Sequence, residues 1–201
     1  SFPAKIPILL ILGTEGIAVG MSTRILPHNF VEVLDAQIAH LRGKTFKLYP
    51  DFPTGGRVDV SEYNDGNGKV LVRGVLDDRD PKRVILRELP YGYTTETLIT
   101  SIEAAAKNGK LKISSISDFT TESVEIDINL ARGVQSKDTL DALFAFTGCE
   151  NSITASMLTI KDERPHITNV TDVVKHCTDR LLDILKAELK LEERELGDRL
   201  H

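Results

Sequence analysis

Ile6-Pro7-Ile8-Leu9-Leu10-Ile11-Leu12-Gly13-Thr14-Glu15-Gly16-Ile17-Ala18-Val19-Gly20-Met21 is the stretch on which the reading of the fold turns. Its apolar run, broken by Pro7, is the length of a buried strand. A membrane span would need roughly 18 apolar residues. Gly13-Thr14-Glu15-Gly16 reads as a turn, and Ile17-Ala18-Val19-Gly20-Met21 as a second short strand. Together they predict a β-hairpin near residues 13–21.

Outward from the hairpin the pattern changes period. Asn29-Phe30-Val31-Glu32 has the spacing of a capping box, and Phe30, Leu34, Ile38 and Leu41 recur at helical spacing before Gly43. A helix is predicted over residues 29–42. Residues 48–68 are rich in Pro, Gly, Asn and Asp and read as turns. Residues 69–75 and 83–89 read as strands joined through Asp77-Asp78-Arg79-Asp80-Pro81-Lys82. A helix follows from Thr94 or Thr95 to Asn108-Gly109, then strands at 111–117 and 123–130. In the second of these Val124, Ile126, Ile128 and Leu130 alternate with polar residues, the period of a half-buried strand. Ser136 is placed to cap a helix ended by Gly148, and residues 153–160 read as one more strand. From Thr171 a helical pattern runs to the last residue, increasingly charged and on the order of 45 Å long. That is the start of an arm more than of a packed element. The fold class is α+β: a mixed or antiparallel sheet with packed helices, plus the start of a long coiled-coil helix.

Composition excludes several function classes. With 41% hydrophobic and 27% charged residues the chain is an ordinary globular one. It opens Ser1-Phe2-Pro3 without Met and without a basic-then-apolar leader, so it reads as an internal piece of a longer cytoplasmic protein. Cys149 and Cys177 lie far apart, no C-x-x-C occurs, and the five histidines lack zinc-ligand spacing. Both cysteines are expected as small buried hydrophobes, and no metal site is expected. The net charge is -5, yet residues 1–60 carry six Lys/Arg against five Asp/Glu. A nucleic acid would prefer that first part. The Gly-rich segment is not a phosphate loop. Glu15 stands where a dinucleotide fingerprint needs Gly, and Val19-Gly20-Met21-Ser22 lacks the lysine of a P-loop. No G-x-S-x-G elbow is present. A small-molecule enzyme using the Gly-rich turn and a purely structural dimerisation arm remain as alternatives.

Several ordered motifs carry a resemblance. Pro3-Ala4-Lys5-Ile6-Pro7, Gly16-Ile17-Ala18-Val19-Gly20-Met21-Ser22-Thr23 and Pro27-His28-Asn29 come first. Asp51-Phe52-Pro53-Thr54-Gly55-Gly56, Gly68-Lys69-Val70 with Arg73, Arg87-Glu88-Leu89-Pro90-Tyr91 and residues 113–118 follow. Taken together the chain resembles the A subunits of bacterial type IIA topoisomerases, gyrase and topoisomerase IV. Leu48-Tyr49 before Pro50, in place of the Lys-Gly of many gyrases, leans the resemblance to topoisomerase IV.

The resemblance implies a tower domain over residues 1–165, with a DNA-bending hairpin near 13–21, and the start of a coiled-coil arm over 166–201. By its own pattern Ile17 reads as a core residue. By resemblance it is the wedge that enters between base pairs, with Gly16 and Gly20 allowing close approach. Lys5, Arg24, His28, Lys44 and Lys47 become candidates for phosphate contacts. The family's nucleophile, a tyrosine preceded by arginine, is absent. Tyr49, Tyr63, Tyr91 and Tyr93 have other contexts, so these residues alone are expected to be inactive. The resemblance further implies three partners: double-stranded DNA, a second copy of the A subunit, and a B subunit carrying Mg²⁺ and ATP. It implies no cofactor on this piece and no membrane.

Overall fold

Pro7 decides the start of the structure. In the computed structural model, which describes residues 4–161 and 163–200, it stands as the N-cap of a short helix α1, Ile8–Leu12. The amides of Leu10 and Ile11 donate to its carbonyl at 3.0 and 3.3 Å. The strand expected over residues 6–12 is therefore a helix. A short apolar run without alternation fits either state, and proline suits the first turn of a helix. The hairpin consequently moves along the chain. Its strands are β1, Thr14–Ala18, and β2, Met21–Ile25. They are antiparallel, with Thr14 opposite Ile25 and Ala18 opposite Met21. The turn is Val19-Gly20, with Gly20 at φ 76°, and not Gly13-Thr14-Glu15-Gly16.

The chain divides into two compact units. The first takes the described residues of Ser1–Asp51, Tyr63–Gly68 and Thr154–His201. Here α2 spans Phe30–Leu41, and Asn29 caps it by accepting from the amides of Val31 and Glu32. Gly43 ends it at φ 67°. Helix α2 packs along the last helix, α5, Val170–Leu200. Leu10, Leu26, Val33, Met157, Val170 and Val174 are buried in this unit. Beyond Thr178 the side chains of α5 are exposed or half-exposed up to residue 199. The strand expected over 153–160 is interrupted at Ala155-Ser156-Met157. The Ala155 amide donates to the Gly68 carbonyl at 2.7 Å and the Met157 amide to Asn67 Oδ1 at 2.9 Å. Those bonds take the backbone out of a continuous ladder. A second hairpin follows, Leu158–Lys161 with Arg164–Ile167, whose returning strand is not evident in the sequence pattern.

The second unit takes Phe52–Glu62 and Lys69–Ile153. Its strands in chain order are β3 Arg57–Asp59, β4 Lys69–Arg73, β5 Val75–Asp77, β6 Arg83–Glu88, β7 Ile113–Asp118, β8 Ile126–Leu130 and β9 Glu150–Thr154. The hairpin of the first unit that follows them is β10 and β11. The run expected as one strand over 69–75 is split at Gly74. β4 belongs to a sheet ordered β3-β4-β9, and β5 to an antiparallel sheet ordered β5-β6-β8-β7. A Cβ on Gly74 would lie 2.9 Å from the Glu88 carbonyl oxygen, so only glycine fits where the chain changes sheets. Helices α3, Thr95–Lys107, and α4, Ser136–Phe146, cover the larger sheet. Leu98, Ile102 and Leu143 pack there with Val84, Leu86, Ile126, Ile128 and Leu130. Thr94 caps α3 in a reciprocal box with Thr97. Ser136 does not cap α4. It is the helix's first residue and is buried, and its hydroxyl donates to the Asp78 carbonyl at 3.0 Å.

Central strand β8 is more buried than its alternation predicts, because it lies between β6 and β7. Asp127, on the polar face, is buried and takes the Arg83 guanidinium at 2.8 Å. Cys149 is fully buried while Cys177 is half-buried, and burial pushes both thiols up. Ile128 is fully buried at the centre of the larger sheet. Ile128→Ala should lower unfolding free energy by about 2–5 kcal/mol, read from denaturant midpoints.

Candidate nucleic-acid interface

Among the described residues the β1–β2 hairpin is anchored toward its base. Ile25 and Leu26 are buried there. The Arg24 amide donates to the Ser156 carbonyl at 2.8 Å, and the Ser156 amide returns a bond to the Arg24 carbonyl at 3.0 Å. Gly13, at φ 67°, allows the crossing of chain beneath. A Cβ there would lie 2.7 Å from the Ile25 carbonyl oxygen. Above this base every position of β1 is exposed. Ile17 is 86% exposed and Val19, in the turn, is fully exposed. Ile17 is thus not the core residue its apolar pattern suggests. Gly16 sits in mid-strand opposite Thr23. A Cβ on it would meet only Thr23 Cγ2, at an ordinary 3.6 Å. The protein's own packing does not require glycine there, so the open space faces outward.

The cations are distributed unevenly. Arg24 lies directly opposite Glu15 and is ion-paired with it. Lys5 holds Glu188 at 2.9 Å, with both side chains half-exposed. Exposed pairs of this kind contribute about 0–1 kcal/mol, so a polyanion can displace either carboxylate. Lys44 and Lys47 are exposed after α2, and neither has a carboxylate partner among the described residues. In the second unit four of the arginines are occupied. Arg73 pairs with Glu150 at 2.5 Å and lies over the Phe144 ring. Arg79, Arg83 and Arg87 each hold a carboxylate, and the Arg79 guanidinium keeps the Asp77 carboxyl well below the usual range.

His28 does not stand with them. It is 3% exposed. Its Nδ1–H donates to the Leu10 carbonyl at 3.2 Å, since a carbonyl can only accept. Its Nε2 therefore accepts from the Tyr63 hydroxyl at 3.0 Å. Burial lowers the His28 pKa, against the pull of the Leu10 and Leu26 hydrogen bonds, and burial likewise pushes the Tyr63 hydroxyl up. The imidazole is a neutral link that ties α1 to the turn at Asn64–Gly66, with no free N–H for a phosphate. Sequence reading missed this pair because Tyr63 lies 35 residues away. It also missed Val19 and Ser156, which acquire their places only once the hairpin's register is known. Among the described residues no three His, Cys, Asp or Glu side chains gather as a metal set, and no helix is long and apolar enough to cross a membrane.

The family of DNA gyrase/topoisomerase IV A subunits matches the chain over residues 1–201. The DNA topoisomerase 4 A subunit of Borreliella burgdorferi is 47% identical over 199 residues, which is 99% of this chain and 32% of that protein. The DNA gyrase A subunits of Lawsonia intracellularis and Mycobacterium tuberculosis are 31% and 32% identical, each over 99% of this chain and 27% of their own length. The chain therefore spans a third or less of the curated relatives it matches.

Burial of His28 sets a pH dependence. Below the ordinary histidine pKa of about 6.5, the unfolded chain binds a proton that folded His28 resists. Its contribution to stability is therefore complete above that value and is lost progressively as pH falls from it toward the lowered value of the folded state. Thermal melts from about pH 7.5 down to about pH 5.5 should show a falling Tm, and His28→Gln should flatten that part of the profile. An unchanged profile in the variant would remove His28 as its source.

Proposed function

This chain belongs to the family of DNA gyrase/topoisomerase IV A subunits, and we propose that it is the DNA-binding and DNA-bending part of the breakage-reunion subunit of a type IIA topoisomerase. Identity of 47% to a topoisomerase 4 A subunit, against 31–32% to gyrase A subunits, favours topoisomerase IV. The observation that carries the reading is Ile17: a large apolar side chain, 86% exposed, on a hairpin anchored at its base. Water is a poor environment for it, and a stack of bases is a good one.

In this reading Ile17 enters a base step from the minor groove. The unstacking costs on the order of a few kcal/mol and is offset by the wider contact that a bent duplex makes with protein. Gly16 leaves room for the strand beside the wedge. Lys44 and Lys47 contact phosphates directly, and Arg24 and Lys5 do so by exchanging Glu15 and Glu188 for DNA. Such contacts position the duplex without reading its sequence, which suits an enzyme acting at many sites. His28 takes no part. Residues 1–165 serve as the tower domain and residues 166–201 begin the coiled-coil arm, in keeping with the exposure of α5 beyond Thr178.

The whole enzyme, in this proposal, is a cytoplasmic assembly of two A and two B subunits that passes one duplex through another with ATP hydrolysis. Tyrosines of the A subunits attack DNA phosphates. None of Tyr49, Tyr63, Tyr91 and Tyr93 is assigned that role, and Tyr63 is committed to His28. Mg²⁺ and ATP belong to the B subunit, and no step in this chain passes through them.

In the complete A subunit, Ile17→Ala should weaken DNA bending and strand cleavage while shifting stability by no more than about 0.5 kcal/mol, as for an exposed site. Energy transfer across a short end-labelled duplex reads the bend, and a thermal melt reads the fold. A large drop in melting temperature with unaltered bending would sink the wedge.

A further inference from the structure

The wedge hairpin has a neighbour. β10 and β11 pair antiparallel, with Leu158 opposite Ile167, Ile160 opposite Pro165 and Lys161 opposite Arg164. This second hairpin joins the first through the antiparallel bridge between Arg24 and Ser156. Thr23 reinforces the joint: its hydroxyl donates to the Ser156 carbonyl at 3.1 Å and accepts from the Leu158 amide at 3.3 Å. Antiparallel pairing fixes direction. Chain running from Ser156 toward Ile160 therefore lies beside chain running from Arg24 back toward Gly20, and the two hairpins leave the common base the same way.

Alternation gives β10–β11 two different faces. Leu158, Ile160, Pro165 and Ile167 share one, and Thr159, Lys161, Arg164 and His166 share the other. The apolar face is not buried: Ile160 is 82% exposed. It forms one wall of a furrow of 310 Å³, lined chiefly by Ile17, Ala18, Met21, Leu158, Ile160 and Pro165. An open apolar furrow of this kind marks a binding surface.

We propose that this furrow receives one sugar–phosphate strand of the duplex at the step that Ile17 opens, so that β10–β11 is a second DNA-contacting prong and Ile160 its principal contact. The inference rests on the wedge reading of Ile17. Because Ile17 itself lines the furrow, a duplex penetrated by Ile17 carries its own backbone into the space beside it. A protein segment filling the furrow would instead cover Ile17 and prevent insertion. The walls of a minor groove are deoxyribose C–H groups, which match the apolar lining, while the phosphates remain outside. Spreading the contact over two prongs also lets the protein grip the duplex on one side of the opened step as the bend develops.

The test uses the complete A subunit with its B subunit, plus a short duplex labelled for energy transfer. Ile160→Ala should weaken duplex binding about fivefold, the equivalent of about 1 kcal/mol, and reduce the bent fraction. Ile160→Asp should do more. Neither should lower the melting temperature. The salt dependence of binding should keep its slope in Ile160→Ala, because an apolar contact with sugars releases no counterions. If Ile17→Ala abolishes bending while both Ile160 variants bind and bend as the parent does, the second prong is overturned and the wedge stands. If neither position affects bending, the functional reading falls as well. If Ile160→Asp loosens the hold on the B subunit but leaves DNA binding intact, the furrow is a protein-docking site and the proposal is wrong.

Discussion

Two backbone hydrogen bonds between Arg24 and Ser156 hold the part of this molecule that faces outward. Strand β1 buries none of its five residues, and an isolated two-stranded hairpin is marginal in water. The bridge adds a third stretch of chain to the hairpin's edge. Ile25 and Leu26 pin the same end in the core of the first unit. Ser156 can supply the bridge because Asn67 and Gly68 hold the residues on either side of it, through the Met157 and Ala155 amides. The turn at Asn64–Gly66, the interrupted strand and the exposed hairpin thus form one connected set of backbone constraints.

The electrostatics follow the same division of labour. The second unit settles Arg73, Arg79, Arg83 and Arg87 internally, on Glu150, Asp77, Asp127 and Glu125. In the first unit Lys44 and Lys47 stand exposed after α2 with no carboxylate partner among the described residues. A net charge of -5 is then compatible with DNA binding, since screening at physiological salt confines each charge's influence to roughly 8 Å. What matters is which cations a phosphate could reach.

Helices were the most legible elements. Asn29 and Gly43, Thr94 and Asn108-Gly109 bracket their helices by local hydrogen bonding and backbone freedom, which neighbouring residues alone determine. Strands were legible as apolar runs but not as pairs. Gly74 reads as one residue of a strand, although it is the point where the chain leaves one sheet for another. Residues 6–12 read as a strand because nothing within seven apolar residues shows whether a partner strand will be present. None is, since β1 pairs with β2.

Taken alone, the sequence determined the α+β class, the long terminal helix, the absence of a phosphate-loop signature and, through ordered motifs, the family. These depend on local periodicity, on caps and on residues that recur at fixed spacing. Tertiary structure decided that the turn falls at Val19-Gly20, that Ile17 is exposed, that His28 is a buried neutral link and that a second hairpin flanks the first. Each of those depends on contacts between residues far apart in the chain: Thr14 with Ile25, His28 with Tyr63, Arg24 with Ser156. A hairpin slipped by one residue would turn every side chain to its opposite face. Only the long-range anchoring at the base sets the register that leaves Ile17 in water.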